Sequence, residues 1–198
     1  MQQKPMIILT GPTAVGKSAL SVELAKKING AVISADSMQV YRHMDIGSAK
    51  IRPEEMCGVP HYLIDVLDPS EEFHVVKFVE LAHEAMEKIY AAGQIPIVTG
   101  GTGFYIQALL KEVDFTESHG ELPIRKQLEE KAATEEGAAE LYRELSEVDP
   151  ASAETIHPNN VKRVIRALEY YHETGQKISE HNEEQKQKES PYLSLIHI

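Results

Sequence analysis

Apolar and polar positions over residues 1–112 follow an alternating plan of strands and helices. Short apolar runs that predict buried strands occupy residues 6–10, 31–35, 61–65 and 95–99. Between them, residues 17–28 have apolar side chains at i, i+4 and i+8, and residues 73–92 form a longer amphipathic stretch that ends before Gly93. This alternation predicts an α/β fold with a doubly wound parallel sheet, in which ligands bind beyond the carboxyl ends of the strands.

The pattern changes near residue 113, after which the apolar spacing is helical. Predicted helices occupy residues 123–133, 137–148 and 159–173. A polar stretch at 182–189 predicts a linker or a helix end, and an apolar run at 192–196 predicts a strand that returns to the sheet. The predicted domains are an α/β core at 1–112, an all-helical insertion at 113–190 and, at 191–198, the start of a return to the core whose remainder is absent.

A glycine-rich loop follows the first predicted strand. Residues 11–18, GPTAVGKS, match the P-loop pattern GxxxxGK[ST] between that strand and the first predicted helix. The glycines let backbone N–H groups turn toward phosphate oxygens, and the helix N-terminus adds unsatisfied donors. Lys17 supplies a cation for the charge on phosphate, and the Ser18 hydroxyl can bind Mg²⁺. The loop predicts a polyphosphate ligand without indicating which one.

A carboxylate, Asp36, follows the second predicted strand and lies at the same edge of the sheet as the P-loop. It can act as a general base toward a substrate proton, hold Mg²⁺ through water, or be the N-cap residue of a following helix. Ser37 and Gln39 add a hydroxyl and an amide that are able to contact the edge of a base. The pattern leaves all three interpretations of Asp36 open.

Composition excludes several classes of protein. The chain has 198 residues, 42% apolar and 26% charged, which is typical of a globular protein. Its apolar runs are too short for a membrane span, and the N-terminus has no signal-peptide pattern. The single cysteine, Cys57, cannot form an internal disulfide, so we expect a reducing compartment, the cytoplasm.

The net charge of −11, from 20 basic and 31 acidic residues, excludes a uniformly basic nucleic-acid-binding domain. A local basic patch remains, because Lys162, Arg163 and Arg166 lie off the apolar face of the last long predicted helix. Such a patch can hold RNA phosphates. A solvated charged face explains the same residues, so the charge pattern alone does not choose between the two.

Five segments together resemble one known family. They are GPTAVGKS at 11–18, DSMQVY at 36–41, MDIGSAK at 44–50, GGTGFY at 100–105 and HPNNVKRVIRALE at 157–169. In their order and spacing, and over the chain up to about Leu195, they resemble the bacterial tRNA dimethylallyltransferases, also called isopentenyl-tRNA transferases. Many nucleotide-binding enzymes share the P-loop, whereas the five segments together are specific to this family.

The resemblance implies transfer of a dimethylallyl group from its diphosphate to N6 of the adenosine at position 37 of tRNA. It implies that Asp36 takes the N6 proton, that Lys17 and Thr13 also act in catalysis, and that Ser18 binds Mg²⁺. The diphosphate would be held by the whole P-loop: Gly11, Pro12, Thr13, Ala14, Val15, Gly16, Lys17 and Ser18.

The resemblance also implies which residues contact tRNA. These are Asp36, Ser37, Met38, Gln39, Thr102, Arg125, Lys162, Arg163, Val164, Ile165 and Arg166. The target base would have to leave its stack to reach Asp36. The implied partners are tRNA and dimethylallyl diphosphate, no membrane is involved, and we expect a monomer.

Three alternatives to this function stay open. A prenyltransferase that modifies a free adenine nucleotide would use the same donor site, and a small-molecule kinase would use the same P-loop. The family continues past the last residue of this chain, so we interpret the chain as truncated at its C-terminus. A non-catalytic fragment that holds diphosphate is therefore the third alternative.

Overall fold

Two units make up the chain in the computed structural model, which describes residues 3–12, 14–112 and 123–197. The first unit comprises Met1–Val113 and Glu189–Ile198, and the second comprises Asp114–Lys188. Among the helices of the described residues, none combines the length and the apolar character that a bilayer span requires.

The first unit is a parallel sheet flanked by helices. Its strands are β1 (Lys4–Thr10), β2 (Gly30–Ser34), β3 (His61–Tyr62), β4 (Ile95–Gly100) and β5 (Tyr192–His197). Its helices are α1 (Lys17–Ile28), α2 (Pro53–Met56), α3 (Val75–Ala91) and α4 (Gly103–Lys111). The strands are hydrogen-bonded in the order β3-β2-β4-β1-β5, and every neighbouring pair is parallel. The predicted α/β fold with a parallel sheet is confirmed.

Helices cover both faces of this sheet, because side chains of a strand alternate between its faces. On one face, Ile8, Ile33 and Val98 pack with α3 and α4. On the other, the adjacent residues Leu9, Val32 and Ile97 pack with α1. The strands are thereby fixed with the carboxyl ends of β1, β2 and β4 at one edge, which is where the P-loop, the turn after β2 and the turn after β4 begin.

The third strand is shorter than predicted. The apolar run 61–65 forms only the two-residue strand β3, because Leu63 and Asp65 have φ values of 61° and 55°. A strand cannot continue through the left-handed region of backbone conformation. Helix α2 was not predicted, since its four residues are too few to show a periodic pattern.

The second unit consists, in its described residues, of helices around a small apolar core. They are α5 (Pro123–Lys131), α6 (Glu135–Val148), α7 (Pro150–Thr155), α8 (Val161–Thr174) and α9 (Ile178–Gln187). Leu141, Leu145 and Leu168 are fully buried in its core. The three predicted helices are confirmed as α5, α6 and α8. The prediction missed the short helix α7. Of the two alternatives for the polar stretch 182–189, the helix end is confirmed, because residues 182–187 form the C-terminal part of α9.

A buried carboxylate, Asp149, joins α7 to α9. It accepts hydrogen bonds from the backbone N–H and hydroxyl of Ser152, at 3.1 and 2.7 Å, and from those of Ser179, at 3.0 and 2.6 Å. Burial by itself would raise the pKa of Asp149, but the hydrogen bonds from Ser179 and Ser152 outweigh it and hold the pKa below its ordinary value.

We expect Asp149→Asn to destabilise the chain by about 2–4 kcal/mol, because an amide cannot accept all four bonds and leaves buried donors unpaired. Urea unfolding followed by circular dichroism measures this, with the exposed Glu154→Gln on α7 as the matched control. Since the folded pKa is lowered, the contribution is present above the pKa of an unfolded aspartate, about 3.9, and is lost as pH falls toward the folded pKa. Equal stability of the two variants at pH 7 would contradict this role.

Candidate functional site

The P-loop has the backbone that an anion site requires. Gly11, Ala14 and Gly16 have φ values of 149°, 67° and 87°, and Gly16 is the N-cap residue of α1. Among the described residues, no side chain caps the start of α1, and its first turn contains no acidic residue. The helix N-terminus is therefore available to an anion. Thr13, predicted to act in catalysis, lies outside the described residues.

The Lys17 side chain lies over the loop that precedes it. Its Nζ donates hydrogen bonds to the carbonyl oxygens of Gly11, at 2.8 Å, and Pro12, at 2.6 Å. These contacts hold the ammonium group beside the first residues of the P-loop, and a phosphate that accepts from it would replace weaker neutral acceptors by a charged one.

Asp36 caps the turn after β2. Its Oδ1 accepts hydrogen bonds from the backbone N–H of Met38, at 2.9 Å, and of Gln39, at 3.3 Å. The predicted helix N-cap is wrong, because residues 37–40 form a turn and not a helix, and the carboxylate caps this turn instead. In the described part of the chain Oδ2 makes no hydrogen bond, and the other two interpretations of Asp36 stay predictions. Burial, then the charges of Tyr41 and Asp36, raise the pKa of Tyr105, so the carboxylate acts electrostatically on this neighbouring phenol.

Seven of the predicted site residues line one cavity of about 530 Å³. Of the predicted residues, the following line it: Ala14, Gly16, Lys17, Ser18, Asp36, Met38 and Gln39. Gly11, Pro12, Val15, Ser37 and Thr102 are not among its lining residues, and Thr102 is the N-cap residue of α4. A phosphate-binding loop and a carboxylate therefore face the same space.

Sequence reasoning missed four polar residues of this cavity: Ser34, Ser48, Glu55 and Thr99. Ser34 and Thr99 are paired across β2 and β4 at the carboxyl edge of the sheet, so their place at strand ends was a usable signal. Glu55 belongs to α2, and nothing in the pattern placed that short helix at the site. With Ser18 and Asp36, it brings hydroxyl and carboxylate oxygens to one cavity.

Lys50 anchors the segment 41–50, of which Gly47, Ser48 and Ala49 line the cavity. Its Nζ donates to the Tyr41 carbonyl at 2.8 Å and to the carboxylates of Asp45 and Asp65 at 2.8 and 2.6 Å. Burial alone would lower the pKa of Lys50, but the hydrogen bonds to Asp45 and Asp65, with their charges, outweigh it and raise the pKa. At neutral pH the ammonium group therefore stays charged and holds both ends of the segment.

The Gln39 amide also holds this segment. It accepts from the Ser34 hydroxyl at 3.0 Å and donates to the carbonyl oxygens of Ser48, at 3.4 Å, and Ala49, at 3.2 Å. Because these bonds engage both ends of the amide, Gln39 shapes the cavity in this structure. A contact between its amide and a base edge stays a prediction.

Gly100 keeps β4 close to the residue before Asp36. The Ala35 N–H donates to the Thr99 carbonyl at 2.8 Å, and a Cβ at Gly100 would lie 2.6 Å from the carbonyl carbon of Ala35 and closer still to its oxygen. Only a residue without a side chain fits between these backbones.

Gly100→Ala is expected to destabilise the chain by about 1–3 kcal/mol through overpacking and to displace Asp36. Gly103→Ala is the matched control, since a Cβ at this first residue of α4 meets nothing within 4 Å. Thermal unfolding compares the two variants. A transition temperature of Gly100→Ala equal to that of Gly103→Ala would show that the strands separate without cost.

The predicted tRNA contacts of the second unit differ in exposure. Lys162 and Arg163 are exposed at the start of α8, whereas Val164 and Ile165 are 1% and 4% exposed within the apolar core. Side-chain contact of Val164 and Ile165 with RNA, as the resemblance implied, does not fit this burial. Their packing orients α8, and the cations on its other side remain the residues available to a phosphate.

Arg125 and Arg166 form ion pairs with one carboxylate. The Nη1 atoms of both arginines lie 3.2 Å from Oε2 of Glu169, whose side chain is fully buried. Arg125 also contacts Glu129, at 3.0 Å from its Nε. Sequence reasoning treated the two arginines as separate residues and gave Glu169 no role.

Comparisons with known proteins agree on one family. A sequence model of the family described as IPP transferase matches residues 39–198. The tRNA dimethylallyltransferase of Lachnoclostridium phytofermentans is 64% identical over 189 residues, covering 96% of this chain and 60% of that protein. The tRNA dimethylallyltransferase of Bacillus mycoides is 48% identical over 196 residues, covering 99% of this chain and 62% of that protein. This chain thus spans about 60% of the length of these curated relatives.

Solved structures agree with this similarity. A eukaryotic dimethylallyltransferase acting on tRNA matches with a TM-score of 0.84 and 41% identity, covering 98% of this chain and 47% of that one. The full-length tRNA isopentenylpyrophosphate transferase of Bacillus halodurans matches with a TM-score of 0.62 and 44% identity, covering 98% of this chain and 59% of that one.

Proposed function

Because the chain belongs to the IPP transferase family, we propose that it transfers a dimethylallyl group from dimethylallyl diphosphate to N6 of adenosine 37 in tRNA. The observation that carries the proposal is the convergence of the P-loop and Asp36 on one cavity. A site for the diphosphate and a base for the amine are the two requirements of this reaction. The proposal includes a monomeric enzyme that acts in the cytoplasm, where tRNA is available.

The adenosine amine needs help to react, because its lone pair is delocalised into the purine ring. In the proposed step, N6 forms a bond to the first carbon of the dimethylallyl group while the bond from that carbon to the diphosphate oxygen breaks. The diphosphate leaves with the bonding electrons, and the N6 proton passes to the Asp36 carboxylate. Because Met38 and Gln39 hold only Oδ1, the carboxylate is oriented and still has an oxygen for the proton.

The leaving diphosphate gains negative charge as the bond breaks. The P-loop backbone and the uncapped start of α1 offer N–H donors, and Lys17 offers a cation that lies at the loop in this structure. Donors placed where charge develops stabilise the transition state more than the ground state. Proximity of both substrates in one cavity supplies the rest of the rate enhancement.

The oxygen atoms at the cavity fit a magnesium ion. Ser18, Asp36 and Glu55 line it, and Mg²⁺ is commonly bound by few protein oxygens together with substrate phosphates. The described residues contain no cluster of three or more potential His, Cys, Asp or Glu ligands, which agrees with a site completed by the substrate. We propose that Ser18 holds the ion, which would neutralise charge on the diphosphate.

A single-turnover transfer assay tests the function. The chain is mixed with Mg²⁺, labelled dimethylallyl diphosphate and unmodified tRNA, and the label in tRNA is counted; parallel reactions contain adenosine monophosphate, or ATP with small-molecule acceptors. Label in tRNA supports the proposal, label in the mononucleotide favours the adenylate prenyltransferase, and phosphate transfer from ATP favours the kinase. Binding of diphosphate by a cooperatively folded chain that transfers nothing favours the non-catalytic fragment.

A further inference from the structure

The second unit contains a buried carboxylate that binds two arginines from different helices. Glu169 of α8 has a fully buried side chain, and its Oε2 accepts from Arg125 of α5 and Arg166 of α8. We call Arg125 and Arg166 the arginine pair. The side chains of Arg125 and Arg166 are 32% and 34% exposed. The carboxylate of Glu169 is thus buried, while both arginine side chains are partly exposed to solvent.

This arrangement is not the one that stability alone favours. A buried carboxylate is costly unless its oxygens are hydrogen-bonded, and replacement of such a group by apolar side chains is often neutral or stabilising. Here both arginines bind the same oxygen, and among the described residues Oε1 of Glu169 has no hydrogen-bond partner. Arg125 also forms an ion pair with the exposed carboxylate of Glu129, at 3.0 Å, so its guanidinium is shared between a buried and an exposed anion.

The residues around the pair also favour an anion. Lys162 and Arg163 are exposed in the first turn of α8, which contains no acidic residue and no side-chain cap in the described structure. Cations near a helix N-terminus are destabilising, because the helix dipole is positive there. The start of α8 therefore combines a positive helix end with two exposed basic residues, Lys162 and Arg163, a combination that costs stability and attracts phosphate.

We infer that Glu169 is a positioning residue for RNA phosphate: its buried carboxylate holds the guanidinium groups of Arg125 and Arg166 side by side, so that they bind the backbone of tRNA together. This inference rests on the proposed function, because it takes tRNA as the substrate. Its physical basis is that the planar guanidinium donates from fixed directions, and phosphate recognition by arginine depends on that geometry as well as on charge.

Positioning and charge alone predict opposite changes in RNA affinity when Glu169 is replaced by glutamine. Glu169→Gln removes one negative charge next to two arginines, so charge counting expects tighter RNA binding. Loss of positioning expects weaker binding, by roughly three- to tenfold, because Arg125 and Arg166 no longer share an anchor. Glu173→Gln is the matched control, since it removes the same charge from an exposed position on the same helix.

The test measures binding of an RNA of the anticodon stem and loop to the full 198-residue chain over a range of salt concentrations. We expect weaker binding by Glu169→Gln than by Glu173→Gln, and a slope of log Kd against log salt reduced by about one phosphate contact. Partial unfolding would lower the active fraction and leave the slope of the remaining protein unchanged, so the slope separates positioning from a structural role.

A second variant keeps the test decisive if Glu169→Gln folds poorly. Arg166→Lys retains the charge next to Glu169 but loses the planar group, and we expect it to weaken RNA binding in the same direction. Binding by Glu169→Gln as tight as that of the control, or an unaltered affinity of Arg166→Lys, would overturn the inference, as would no RNA binding by the unaltered chain. Failure of the transfer assay with RNA binding and its Glu169 dependence intact would reject the proposed function alone.

Discussion

Asp36→Asn is expected to lower the rate of prenyl transfer by about 100- to 10,000-fold while the turn after β2 stays folded. Asparagine retains an oxygen that accepts from the N–H groups of Met38 and Gln39, so the cap persists. It cannot take the proton from N6, so the amine has no base. The measurement is the single-turnover rate at saturating donor and tRNA.

A second aspartate of similar local structure provides the control. Asp68 accepts from the N–H of Ser70 at 3.0 Å and does not line the cavity. Asp68→Asn therefore makes the same chemical change at a turn that has no proposed role in the reaction. We expect it to transfer at the unaltered rate. The base assignment fails if Asp36→Asn transfers as fast as this control, or if it loses diphosphate binding together with transfer.

Lys17→Met is expected to weaken diphosphate binding and to lower the rate of transfer by about 100- to 1,000-fold. Methionine preserves much of the side-chain length but removes the ammonium group that Gly11 and Pro12 hold at the P-loop. The charge that develops on the leaving group then loses the cation that Lys17 supplies. Calorimetry with inorganic diphosphate and the transfer rate report the two effects separately.

Lys26→Met is the matched control for this prediction, because Lys26 is an exposed lysine of the same helix and lies in its last turn. It should bind diphosphate and transfer the prenyl group like the unaltered chain. A Lys17→Met variant that binds diphosphate normally and loses only transfer would assign Lys17 to the transition state alone. Normal values of both would remove it from the site.

Local patterns predicted the parts of the site that depend on a few adjacent residues. The P-loop needs a strand before its eight residues and a helix that begins within its last residues, and β1 and α1 supply that context. Asp36 was predicted because the ends of parallel strands meet at one edge. Both signals are present within short segments, which is why the sequence alone was sufficient for them.

Contacts between distant residues were not predictable in the same way. Lys50 is an ordinary lysine in the sequence, and its role depends on Asp65, which lies next to it only because the backbone turns at Leu63 and Asp65. Glu55 reaches the cavity from a helix too short to show a periodicity. These residues acquire their function from the tertiary structure.

The family motif on helix α8 contains both buried and exposed residues. The segment 162–166 resembles a tRNA-contacting segment as a block, yet Val164 and Ile165 pack inward while Lys162 and Arg163 face solvent. Glu169 also belongs to the resembling segment, but its burial between two arginines follows only from the packing of α5 on α8. Helical periodicity distinguished the apolar face of α8 from its charged face, but it did not indicate that the Glu169 carboxylate is buried.

The strand that carries the P-loop is completed from the far end of the chain. Lys4 pairs with Tyr192 and Leu9 with His197, and the whole second unit is synthesised between these partners. Pairing over such a sequence separation is slow, because the entropy of closing the intervening loop opposes it. During synthesis, one edge of β1 therefore stays unpaired until β5 leaves the ribosome. During this interval the edge is accessible to chaperones and to non-native strands.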